Sequence, residues 1–185
     1  MATLAALKKD LAKTSPEYIV LLETTADRVS EVEMEALKSL TARDRTAIIV
    51  SASRPCTNFL GLLKKNGVDT KNVFLLDCVC RTQSVDPPDA ANVVHLQSAF
   101  DLTNLAISLD EAFRKIQGEK FLFLDSITTM LIYNQPDMFA RFIHSVLTRM
   151  RGYGIGGVLI SLEKETNPEV RSQIAQLCDK LIKVE

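Results

Sequence analysis

Net charge is the first thing this sequence lacks: 22 Lys and Arg stand against 23 Asp and Glu, a formal −1 over 185 residues. Without a net positive field there is no long-range pull toward nucleic acid or an anionic bilayer, so neither is expected as a partner. Long apolar runs are also missing. None approaches the roughly 20 residues that cross a bilayer. Met1 to Lys13 has lysines after a short apolar stretch and no small-residue cleavage pattern, so no secretory leader is expected either. Cysteine is scarce, with Cys56, Cys78, Cys80 and Cys178 alone. A chain this long can bury a core without covalent staples, so the four read as reduced thiols, and the expected location is the cytoplasm. Repeats, low-complexity tracts and interdomain linkers are absent, which leaves one domain over residues 15–185 behind a short segment, residues 1–14.

What is present is an alternation. Apolar, largely β-branched runs recur at Tyr18 to Leu22, Ala47 to Ser51, Val73 to Leu76, Val93 to Leu96, Phe121 to Leu124, Gly157 to Ser161 and Lys180 to Val184. Stretches of helical period separate most of them, the signature of a parallel sheet covered on both faces. All but the fourth and last run are continuously apolar, as doubly covered strands require.

Helix signals punctuate the gaps. Leu102, Leu105, Ala106, Leu109, Ala112, Phe113 and Ile116 hold one face, with Asp101 placed to cap it and Gly118 to end it. Pro136 opens a second stripe through Met138, Phe139, Phe142, Ile143, Val146, Leu147 and Met150, ending at Gly152. Ser30 with Glu33 has the spacing of a capping box, Pro55 begins a helix with Phe59, Leu60 and Leu63, and Asn167-Pro168 starts the last one. Leu4, Leu7 and Leu11 share one side of a helix too short to be stable alone, so it needs the domain's own surface or a neighbouring subunit. Arg81 to Asn92, centred on Asp86-Pro87-Pro88-Asp89, is a long loop of the kind that often carries function.

Ligands of open α/β sheets bind beyond the carboxyl ends of the strands, which singles out the residues just after each run. Phe121-Leu122-Phe123-Leu124-Asp125 has the Walker B pattern, a buried strand that aims a carboxylate at a nucleotide's Mg²⁺; an Asp that ends a strand or caps a helix gives the same pattern. The segment Phe121 to Tyr133 (FLFLDSITTMLIY), a helix, Gly157 to Ser161, and a helix leading into Cys178-Asp179-Lys180-Leu181-Ile182 together resemble the second half of a RecA-like ATPase of the archaeal KaiC-like group. Ala47 to Pro55 (AIIVSASRP) is similar to that group's second strand. The resemblance runs from Tyr18 to the end and implies a three-layer αβα domain with a mainly parallel RecA-like sheet.

It also exposes departures. A P-loop surrounds phosphate with glycine-rich backbone, neutralises it with Lys and holds Mg²⁺ with Ser or Thr. In its place Glu23 to Arg28 has neither glycine nor lysine, Glu23 and Asp27 would repel a triphosphate, and Gly61 and Gly67 lie too far along. Where the family commonly has a catalytic carboxylate after the second strand stand Ser51-Ala52-Ser53. The resemblance therefore implies a noncatalytic relative, a pseudo-ATPase with a degenerate P-loop. It would act by protein contact as a regulatory, scaffold or signalling subunit, its partner a RecA-like paralogue or a second copy of itself. No catalytic residue, metal or cofactor is assigned. The competing expectation is a nucleotide-binding ATPase with an unorthodox phosphate loop, in which Asp125 and Ser126 bind the cofactor and Asp125 is the Mg²⁺ ligand. A sensor that takes a small molecule in the vacated pocket is a third.

Other motifs read as structure. Gly152 to Gly157 ends a helix and opens a strand, the reverse of a dinucleotide loop. Asp125-Ser126-Ile127-Thr128 lacks the second Asp of a phosphoacceptor site. Cys78 and Cys80 are spaced to share a face near His95 but lack the paired knuckle spacing of a zinc site, so they read as structural thiols. His95 and His144 have no nucleophile in pattern with them. Arg141, Arg149 and Arg151 make a mildly basic helix surface.

Overall fold

A computed structural model describes residues 3–42, 44–81 and 91–184. The central part of the long loop expected at Arg81 to Asn92 thus lies outside the described residues. The strands are β1 (Ile19–Thr24), β2 (Thr46–Ser51), β3 (Val73–Asp77), β4 (Val93–His95), β5 (Lys120–Asp125), β6 (Gly156–Leu162) and β7 (Lys180–Val184). The helices are α1 (Leu4–Lys13), α2 (Val29–Thr41), α3 (Cys56–Lys65), α4 (Leu102–Lys115), α5 (Ile127–Tyr133), α6 (Pro136–Gly152) and α7 (Pro168–Leu177). All seven strands run parallel in the order β4-β3-β2-β5-β6-β1-β7. The two runs that were not continuously apolar are the two edge strands, where one flank meets solvent.

Side-chain alternation along the central strands sorts the core into two layers. Ile48, Val50, Leu122 and Leu124 face one way, onto α4, α5, α6 and α7. Ala47, Ile49, Phe121 and Phe123 face the other, onto α1, α2 and α3. This is the expected three-layer αβα arrangement. Leu7 and Leu11 of α1 belong to the second layer, 0% and 2% exposed, and Lys180 of β7 approaches Asp10 at 3.5 Å. The short helix therefore docks on its own chain.

Capping follows the sequence at most ends. Asp101 accepts from the Asn104 amide at 3.1 Å, Asn167 accepts from Glu169 and Val170, and Gly118 takes a positive φ of 78°. Two expectations fail. The Ser30–Glu33 capping box does not form, because α2 already begins at Val29, its first residue after Arg28, and Glu33 turns inward instead. Met138 leaves the apolar stripe of α6 and is 58% exposed, because it lies in the helix's first turn, before the buried run from Phe139 onward. The short helix α5 within the Asp125-to-Tyr133 segment was not anticipated. Ser126 caps it by accepting from the Thr129 amide at 3.2 Å.

The glycines before β6 serve close packing as well as turning. Gly154 takes a positive φ of 64°, while Gly156 and Gly157 already lie in the strand. A Cβ at Gly156 would overlap the carbonyls of Pro16 and Tyr18, and one at Gly157 would lie 2.7 Å from the Leu122 carbonyl oxygen.

Candidate functional site

Three elements bring polar side chains together at the carboxyl end of the sheet. Asp125 is the last residue of β5, in register with Ser51 of β2, and is 1% exposed. The backbone leaves β2 beside it, and Ala52 donates its amide to the Asp125 carbonyl at 2.8 Å. That path carries Ser53 and Arg54 onto the Asp125 carboxylate: Ser53 Oγ donates to Oδ2 at 2.5 Å and Arg54 Nε stands 3.8 Å from the same oxygen. Ser51 Oγ donates to the Arg54 carbonyl at 2.8 Å and holds the turn. From the other side, one helical turn into α2, Glu33 accepts from Arg54 Nη2 at 2.9 Å.

Glu33 is fully buried, and its Oε1 has no hydrogen-bond partner among the described residues. Burial is the main cause that pushes its carboxyl up to about 9; the nearby charge of Asp125 adds to this, while Arg54 pulls the other way. The two carboxyls thus face one guanidinium. An unfolded chain ionises Glu33 near the ordinary 4.5, whereas the folded one keeps the proton to about 9. Folded protein therefore binds more protons across that window, and stability falls as pH rises through it. Glu33→Gln, an uncharged isostere, should flatten this slope. Urea midpoints measured between pH 5 and 9 should show the variant gaining on the wild type by about 1 kcal/mol per pH unit, the linkage of one proton. Parallel curves for the two proteins would mean that Glu33 is ionised throughout.

The connection after β1 is short. Residues 25–28 alone join Thr24 to α2, closed by the Arg28 amide donating to the Thr25 carbonyl at 3.1 Å. Glu23 does not present a free charge to this region, contrary to the expectation that it would repel a phosphate. It is 1% exposed and bound by Arg171 of α7, whose Nη2 lies 2.7 Å from Oε2 and whose Nε meets Oε1; Lys183 of β7 stands at 3.6 Å. Asp27 stays exposed, with its carboxyl held low chiefly by a hydrogen bond from Thr25. Ser126 of the sequence-level pair with Asp125 is engaged with Thr129, both as cap and through a 3.0 Å hydroxyl contact.

Beside this cluster lies a cleft of about 340 Å³ lined by Ser53, Cys78, Val79, Ala99, Phe100 and Tyr133. The Phe100 and Tyr133 rings sit 6.4 Å apart, 61% and 51% exposed. A second polar group stands at the ends of β3 and β4, made of Asp77, His95, Cys56 and Cys80. Cys78 is not in it: the chain leaves β3 at Asp77, so Cys78 enters the α4–α7 layer and Cys80 the opposite one. His144 is exposed on α6. Of the three arginines nearby, Arg151 is paired with Asp179 at 3.1 Å and Arg149 approaches Asp110 at 3.9 Å, so the basic surface is partly neutralised. Sequence reasoning missed Glu33 and Arg54. Glu33 read as half of a capping box with Ser30, and only its burial beside β5 distinguishes it.

The seven-stranded parallel sheet, covered by helices on both faces and with Asp125 ending its central strand, is a three-layer αβα fold. The chain belongs to the family of unknown function DUF7504, which matches residues 18–184. No curated protein matches it by sequence. Solved structures share the fold, two of them from Pyrococcus horikoshii. An uncharacterised Pyrococcus horikoshii protein, crystallised in complex with an unknown peptide, is 13% identical with a TM-score of 0.71, over 99% of this chain and 84% of that one. A KaiC-like protein from Pyrococcus horikoshii OT3 is 11% identical with a TM-score of 0.64, over 91% of this chain and 71% of that one. No helix among the described residues is long and apolar enough to cross a membrane.

Proposed function

We propose that this chain is a noncatalytic RecA/KaiC-like subunit, a pseudo-ATPase that works through protein contact as a regulatory or scaffold component. The observation that carries this reading is the occupation of Asp125 by the chain's own groups. The carboxylate that would hold magnesium accepts from Ser53 and faces Arg54, which Glu33 shares. A metal there would have to displace a guanidinium and a hydroxyl. The four-residue connection after β1 is too short for a loop that wraps a phosphate, and it carries no lysine. Residues and Mg-nucleotide therefore do not fit each other.

A protein partner is supported by the exposed aromatic rings lining the cleft, Phe100 and Tyr133, which solvent alone does not favour. It is supported also by the relative crystallised with a peptide. The partner class is a protein surface or segment, a RecA-like paralogue or a second copy included.

Calorimetric titration with Mg-ATP should give no binding heat, and no phosphate should be released. Asp125→Asn should change stability by less than about 2 kcal/mol, because Glu33 can take over the Arg54 charge when Asp125 is neutral. Micromolar binding, or turnover that Asp125→Ala abolishes, would replace this reading with the nucleotide enzyme in which Asp125 and Ser126 bind the cofactor.

A further inference from the structure

We infer that Cys56, Asp77, Cys80 and His95 form a zinc-type metal site that bolts α3 to the β3–β4 edge of the sheet. One ligand atom from each of the four lies within 4.8 Å of all the others. The residues come from separate elements: Cys56 is the first residue of α3, Asp77 and His95 are cross-strand partners at the ends of β3 and β4, and Cys80 follows Asp77 by three. Convergence from that many places is a property of the fold, which chain proximity alone does not give.

The geometry suits a tetrahedral ion. Zinc bonds of ~2.0–2.3 Å to nitrogen, oxygen and sulfur place neighbouring ligand atoms roughly 3.3–3.8 Å apart. Here the two sulfurs are 3.5 Å apart, while His95 Nδ1 and Asp77 Oδ2, hydrogen-bonded at 2.9 Å, would have to part by about 0.4 Å to take an ion between them. The other Asp77 oxygen, Oδ1, accepts from the Val79 and Cys80 amides at 2.9 and 3.3 Å, which fixes the carboxylate and the Cys80 backbone in place. Orientation of first ligands by such outer hydrogen bonds is what metal sites require.

Electrostatics point the same way. Asp77 is 0% exposed, and among the described residues no Lys or Arg pairs with it. His95 Nε2 is buried and has no hydrogen-bond partner among the described residues. A divalent cation would offset the charge of the buried carboxylate. Two thiolates with one imidazole select a borderline-soft ion of the zinc class over magnesium or calcium.

The test uses the full chain, reduced, stripped with chelator and titrated with Co²⁺ as a spectroscopic probe. One equivalent should bind with a thiolate-to-cobalt charge-transfer band and the intense visible bands of tetrahedral cobalt, and Zn²⁺ should displace it. Cys80→Ser should weaken uptake by more than about 100-fold, since even outer-shell losses cost 10–100-fold. His95→Gln, on an edge strand, keeps the test valid should the serine variant fail to fold, and it should cause a similar loss. Cys178→Ser should leave the titration unchanged. Absence of stoichiometric cobalt bands in the reduced protein, or uptake that both Cys80→Ser and His95→Gln retain, would overturn the site.

Discussion

Replacing Leu7 and Leu11 together by alanine should cost roughly 5 kcal/mol, since buried Leu→Ala changes run about 2–5 kcal/mol each. Both side chains are buried, at 0% and 2% exposure, within the layer that also holds Val32, Leu37, Leu22 and Ile182. Helix α1 has ten residues, below the length at which helices persist alone, so its order comes from this contact. Once the leucines go, the helix has little reason to stay docked, and the layer beneath it opens to water. Urea unfolding should show a lower midpoint, while light scattering should show an unchanged mass. A variant that kept its stability but lost mass would mean that α1 holds subunits together and that its contact with α2 and β7 is minor.

Arg171→Met should cost about 3 kcal/mol, the effect expected when a buried ion pair loses one partner. The two strands that flank β1 and the helix α7 make Glu23 a buried carboxylate, and Arg171 meets both of its oxygens. Lys183 is left as the remaining cation at 3.6 Å, but its ammonium is already engaged by Glu163 at 2.8 Å. The Arg171 side chain is 27% exposed, which admits some water and holds the cost below the upper range for fully buried pairs. Glu23→Gln placed on top of Arg171→Met should restore most of the loss, because the uncompensated charge is then gone. Thermal unfolding of the four proteins closes the cycle. A single variant within about 0.5 kcal/mol of wild type would show that Lys183 alone satisfies Glu23.

Chain order and local chemistry were legible in the sequence because they depend on neighbours along the chain. The apolar runs gave seven strands, the alternation gave a parallel sheet, and Asp101, Pro136, Asn167 and Gly118 marked ends that the backbone uses. Asp125 could be placed at a strand end from four preceding apolar residues. Its partners could not. Glu33 has the spacing of a cap residue, and nothing along the chain says that α2 starts early enough to turn it toward β5. Ser53 and Arg54 look like loop residues until the register of β2 against β5 sets them beside the Asp125 carboxylate. Cys78 and Cys80 look equivalent at a spacing of two, and are separated only because the strand ends at Asp77. By itself the sequence determined the seven strands, most of the helices and where a carboxylate must emerge, but not the short helix α5 or the start of α2. The tertiary structure decided which charges meet, since strand order and register join residues that lie 72 or 148 positions apart, and no local pattern encodes such pairings.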